Sequence, residues 1–237
     1  MRALNLLLPF VFAAAGTAAF AGDLDRIGQL TQSEFRSLSQ DLGAAIAYKE
    51  VAPAAPLGVT GFDVGLELTA SKLQNKGVFE RAGGSAASTL YLPKLRVQKG
   101  LPWGVDIGGF VSKIDGSNIS LAGLEARYAL LDDTLTAPAI GLRVSGTRDM
   151  GASQFDIRTV AFDVVISKKL TFVTPFAGIG TVKVNSKANV AGLASESFNM
   201  SRVFAGLNVN FALINLAVEA EKLGGVSSLS AKAGLRF

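Results

Sequence analysis

From residue 57 onward, apolar and polar positions alternate in short blocks. The clearest block closes the chain: Leu229, Ala231, Ala233, Leu235 and Phe237 interleave with Ser228, Ser230, Lys232, Gly234 and Arg236. A period of two predicts a strand with one apolar and one polar face, and this one is long enough to cross a bilayer when tilted. Nine similar blocks precede it, near 57–71, 88–98, 103–114, 119–131, 138–148, 155–168, 171–184, 198–211 and 213–222. The sixth has unclear parity, and a bulge is expected near Thr159. Pro93 and Pro175 fall inside blocks, where a missing N–H donor suits a bulge or a rim. Ten strands is the reading, with eight or twelve as alternatives.

The connections sort into two sets. Those after odd strands are 72–87, 115–118, 149–154, 185–197 and 223–227; those after even strands are 99–102, 132–137, 169–170 and around 212. The two longest fall in the first set, an asymmetry expected of a barrel with long outer loops and tight inner turns. Aromatic positions follow the same order. Phe62, Trp103, Tyr128, Phe211 and Phe237 are expected on the outer face near the inner turns, with Tyr91 and Phe155 near the outer end.

The first part of the chain has a different pattern. Met1-Arg2, the apolar run Ala3–Ala15 and Ala19-Phe20-Ala21 read as a secretory signal peptide cut after Ala21. Thr31-Gln32-Ser33-Glu34 is a capping-box pattern, and Phe35, Leu38 and Leu42 follow at helical spacing. A short amphipathic helix is expected at about 32–42, ended by Gly43. Ala52-Pro53-Ala54-Ala55-Pro56 reads as a linker. The domain reading is therefore a signal peptide at 1–21, a periplasmic segment at 22–56 separated by its linker, and a barrel at 57–237.

Composition narrows the function. The chain is 49% hydrophobic, yet no later stretch is an uninterrupted apolar span of helical length. Loss of Arg2 with the signal peptide lowers the net charge from +4 to +3. Basic residues are interspersed with acids, so a nucleic-acid partner is not expected. There is no Cys and no His. That excludes Cys- or His-based metal sites and Ser-His nucleophilic pairs within this chain, and weighs against an enzyme. No cofactor and no metal are expected; Gly178-Ile179-Gly180 lacks the Lys-Ser/Thr ending of a phosphate loop.

The alternation assigns an inward polar face. It holds the candidate lumen-lining residues Glu67, Arg96, Asp106, Glu125, Arg127, Arg143, Arg202, Glu219, Glu221 and Lys232, with Lys94 and Arg236 beside them. Bases outnumber acids in this set, so an open lumen would favour anions. Arg158 and Asp163, next to the expected bulge, are left unassigned. Buried charges must pair or stay wet. The set is therefore either a salt-bridged polar plug or the lining of a narrow path.

With its signal peptide, strand period and terminal Phe237, the chain resembles Gram-negative outer-membrane β-barrel proteins over about 57–237. The resemblance implies an all-β, transmembrane antiparallel barrel of about ten strands in the bacterial outer membrane, with a short N-terminal amphipathic helix. It implies outer-membrane lipid as a partner. It also implies recognition of the last strand, with Leu235 and Phe237, by the barrel-assembly machinery. The expected function is a narrow porin-like channel for small solutes; the alternative is a non-conducting structural or surface-interaction barrel working through its outer loops.

Overall fold

The computed structural model describes residues 24–86, 88–114 and 117–237. The signal peptide expected at 1–21 and its expected cleavage after Ala21 lie outside them. Ten strands form one closed antiparallel barrel: β1 (Phe62–Lys72), β2 (Thr89–Gly100), β3 (Val105–Lys113), β4 (Ser120–Leu131), β5 (Ala139–Met150), β6 (Phe155–Ser167), β7 (Val173–Ala188), β8 (Glu196–Phe211), β9 (Ile214–Leu223) and β10 (Val226–Arg236). Each strand pairs with the next, and β1 closes on β10 with Glu67 opposite Lys232 and Asp63 opposite Arg236. Beyond the last strand, the Phe237 and Phe62 amides each donate to the other's carbonyl, and their rings lie 5.6 Å apart.

One end of the barrel, the loop end, carries connections 73–88, 114–119, 151–154, 189–195 and 224–225. The other, the turn end, carries 101–104, 132–138, 168–172 and 212–213, and there β1 begins and β10 ends. The loop expected at 185–197 is shorter, 189–195, since β7 continues to Ala188 and β8 begins at Glu196. A short helix, α2 (Lys76–Arg81), sits within the first loop.

The two prolines lie where a ladder has stopped. β2 and β3 pair only from Leu95–Val111 to Gly100–Asp106, so Pro93 has a strand partner on one flank alone. Pro175 lies one residue past the last β6–β7 pair, Ser167–Phe176. No bulge occurs at Thr159; β6 alternates strictly along its whole length, and the register shift lies between β4 and β5 at Ala129–Leu131.

The outer face is an apolar band that encircles the barrel. Leu66, Leu124, Val160, Ile179, Val203 and Leu229, spread over six strands, are each more than half exposed. In water such a surface is far larger than a monomer tolerates. Trp103, Tyr128, Phe211 and Phe237 are exposed at the turn end, with Phe62 half-buried among them, and Tyr91 is exposed near the loop end. Phe155 departs from expectation: it points inward and is 3% exposed.

Its partner inside is the N-terminal helix. α1 (Gln32–Ile46) carries the expected capping box, with the Glu34 amide donating to the Thr31 hydroxyl and the Thr31 amide to the Glu34 carboxylate. The helix lies within the barrel and touches β1, β6, β7 and β10. Phe35, Leu38 and Leu42 pack with inward Leu90, Leu92, Leu121, Ile157 and Val184. The linker does not hold the segment apart: of the separate periplasmic segment expected at 22–56, α1 and the buried residues Ala47 through Ala54 lie inside the barrel. The physical reason is the apolar inward face near the loop end, which needs a hydrophobic cover. The helix also runs past Gly43, where a Cβ would come within 2.7 Å of both Val184 methyls. Glycine here permits close approach to β7 rather than ending the helix. Among the described residues no helix is long and apolar enough to cross a membrane.

Candidate functional site

The lumen has two layers, and the chain threads both. It enters at the loop end, where Arg26 donates through its backbone amide to the Ala82 carbonyl at 3.0 Å. Next, the side chain of α1 residue Gln32 accepts from the Ala194 amide at 2.8 Å and also donates to Glu196. Arg36 pairs with Glu196 at 2.7 Å, Glu34 pairs with Arg81, and Asp41 accepts from the Asn75 amide at 2.7 Å. Burial pushes the Asp41 carboxyl above its ordinary range, against the opposing effect of these amide bonds. The helix then fills the loop-end layer, and from Ala47 to Leu57 the chain runs toward the turn end without helix or strand.

All ten residues predicted to line the lumen face inward and are buried, and seven of them, Arg96, Asp106, Arg127, Arg143, Arg202, Glu219 and Glu221, bond directly to this stretch. Many of its backbone groups are taken by barrel side chains. The carbonyls of Tyr48, Lys49 and Glu50 accept from Arg202 (2.6 Å) and Arg96 (3.0 and 3.2 Å), and that of Pro53 accepts from Arg127. The amides of Val51, Ala54 and Leu57 donate to Glu219 (2.8 Å), Ser167 (3.0 Å) and Asp106 (3.1 Å). An irregular backbone buried without partners would be costly, so the inward polar face supplies its hydrogen bonds.

The side chains of the segment complete an ion network. Glu50 meets Arg143 at 2.8 Å and lies 3.7 Å from Arg127. Lys49 binds Glu221, which Arg202 also holds at 2.6 Å. Arg143 and Arg202 share Asp163 at 2.6 and 3.2 Å. Glu67 takes Lys94 at 2.6 Å and Arg96 at 2.8 Å, and Arg96 reaches Glu125 at 3.3 Å. Asp63 holds Lys232 at 2.9 Å and Arg236 at 2.6 Å. The Tyr48 ring is packed between the guanidiniums of Arg96 and Arg143, 4.9 and 5.8 Å from its centre, and lies against Phe110.

Four charged groups in this layer escaped sequence reasoning. Lys49 and Glu50 belonged to a segment placed elsewhere, Asp63 stood at the strand's first turn of alternation, and Asp163 was obscured by the expected bulge. With them the layer holds eight acids and eight bases, so the basic excess predicted for an open lumen is not there. Strict parity through β6 would have found Asp163 and placed Arg158 outside. The inward glycines gave a second unused signal. A Cβ at Gly178 would meet the Phe204 ring at 2.3 Å and one at Gly180 the Asp163 carboxylate at 2.1 Å; these positions make room for bulky inward neighbours. Leu235 and Phe237 both face outward. Among the described residues no group of three or more acidic side chains is placed to hold a metal.

No family model matches the chain, and no curated protein does. Solved structures with a similar fold include Neisserial surface protein A, at 13% identity over 74% of this chain and 95% of that one, with a TM-score of 0.32. They include the attachment invasion locus protein Ail of Yersinia pestis, at 17% identity over 75% and 99%, TM-score 0.34. The outer membrane protease OmpT from Escherichia coli aligns at 9% identity over 75% and 95%, TM-score 0.40. Identities and TM-scores this low carry no activity, ligand or partner across to this chain.

Proposed function

We propose that this chain is an integral outer-membrane barrel closed by its own N-terminal segment, and that it acts at the membrane surface through its loop end rather than as an open porin. The membrane reading rests on the continuous apolar outer band and the turn-end aromatic girdle, which a lipid environment explains and water does not. The closed reading rests on one observation. The irregular stretch 47–57 is bonded at successive residues to barrel side chains, with Glu50 buried between Arg143 and Arg127. Moving it would strand several buried charges at once, each an expensive loss. Recognition of the last strand during assembly, through Leu235 and Phe237, belongs to the same proposal.

The test is single-channel recording of refolded residues 22–237 in a planar bilayer, with folding checked by heat-modifiable gel mobility. The folded barrel is expected to stay silent. Sustained, salt-dependent steps with anion preference would overturn the closed reading in favour of the porin-like one.

A further inference from the structure

On the outer face of β2–β6, two rows of side chains run side by side across the strands. Hydrogen-bond register sets one row as Val97, Gly109, Leu124, Gly146 and Val160, and its loop-ward neighbour as Leu95, Val111, Ala122, Arg148 and Arg158. Gly109, Gly146 and Ala122 are too small to fill their share of the surface. The result is a groove of about 730 Å³ with apolar walls and two guanidiniums at one corner.

Those guanidiniums are the informative part. Arg148 and Arg158 are directly opposed across β5 and β6, both on the outer face. Like charges in that position repel, and sheets ordinarily avoid them. Among the described residues neither has a carboxylate within ion-pair distance. Asp156, on the same face of β6, accepts instead from the Asn189 side chain at 2.9 Å. Asp149 faces inward and accepts from the Ile157 amide at 2.7 Å. Lys113, outward at the end of β3, adds a third cation on the loop-end side of the groove. An apolar trough headed by a paired, uncompensated cation complements a molecule with a hydrocarbon tail and a compact anionic head. Two guanidinium forks side by side suit a phosphate, whose several oxygens each accept charge-assisted hydrogen bonds.

We propose that this groove binds a lipid with a phosphate-monoester headgroup, the phosphate between Arg148 and Arg158 and an acyl chain along Ala122, Gly109 and Gly146. The site lies in the leaflet at the loop end, so the proposal rests on the membrane reading above. It does not depend on whether the lumen is closed.

The test uses the full mature chain folded in detergent micelles and native mass spectrometry with phosphatidic acid, with phosphatidylcholine of the same chains and with inorganic phosphate. One phosphatidic acid should be retained per barrel in preference to phosphatidylcholine, with inorganic phosphate retained far less. R148Q/R158Q should weaken retention about tenfold or more, the scale of lost charge-assisted bonds. Gly146→Leu should also weaken it by filling the trough; a Cβ there has room, its nearest neighbour being the Thr159 carbonyl at 3.4 Å. If Gly146→Leu does not show heat-modifiable mobility, Ala122→Leu serves in its place. Equal retention of the two lipids, or unchanged binding by the folded R148Q/R158Q barrel, overturns the proposal. Equal binding of inorganic phosphate would mean a bare anion patch and overturns it too. A wild-type chain that does not fold in micelles at all overturns the membrane reading along with it.

Discussion

The two layers of the lumen do the same job by opposite chemistry. At the loop end, α1 is held by apolar packing: Phe35, Leu38 and Leu42 fit among inward Leu90, Leu92, Leu121 and Phe155. Toward the turn end, the irregular stretch 47–57 is held by charge, with barrel arginines on its carbonyls and carboxylates on its amides. The difference follows from backbone form. A helix satisfies its own hydrogen bonds and can lie against an oily wall. A chain without helix or strand cannot, and must be given donors and acceptors by whatever surrounds it. The wall changes from apolar to charged where the helix ends.

The largest expected effects come from truncating the centre of each layer. Glu50→Ala would leave Arg143 and Arg127 short of a buried counter-charge, and should cost about 3–5 kcal/mol. Phe35→Ala should cost about 3–5 kcal/mol through the cavity it leaves. Urea unfolding of the refolded barrel in vesicles reads both. The two layers predict different couplings in double mutants. Glu50→Ala should be strongly non-additive with Arg143→Ala and close to additive with Phe35→Ala. Additivity between Glu50 and Arg143 would break the picture of a charge-held layer.

A smaller effect is expected where the helix touches the wall most closely. Gly43→Val would drive side-chain atoms into Val184, and overpacking of this kind costs about 1–3 kcal/mol. It should increase protease access to the 24–56 segment while leaving heat-modifiable mobility intact. An unchanged digestion pattern would argue that the helix is free to shift along β7.

The smallest effect concerns pH at the loop-end attachment. Burial raises the Asp41 carboxyl, so the folded state binds its proton more tightly than the unfolded chain does. The sign follows: its contribution is full below the ordinary carboxylate range and is lost as pH rises through the raised folded value. Asp41→Asn should remove that part of the slope when urea midpoints are compared between about pH 3 and pH 7. A slope identical in both proteins would assign the pH dependence to other carboxylates.

The barrel was legible because its outer face is uniformly apolar and a strand's period is two. Those facts alone placed ten strands, their order and the inward set from Glu67 to Lys232. Reading failed where both faces of a strand are apolar. In β6, inward Phe155 and Ile157 pack on α1 while outward Val160 and Phe162 face away, so alternation fades and Asp163 was lost with it. The capping box and the helical spacing of α1 were local and could be read directly. Where that helix lies was not local. A linker rich in Pro and Ala fits a tether in solvent and equally a thread through a barrel, because neither residue brings a side chain that needs water. Sequence by itself determined the strands, the helix and most of the strand charges that turn inward, since each depends on neighbours a few residues away. Only the tertiary structure decided that those charges face a peptide rather than a channel, because their partners, Tyr48 to Leu57, meet them across distances in sequence that no period encodes.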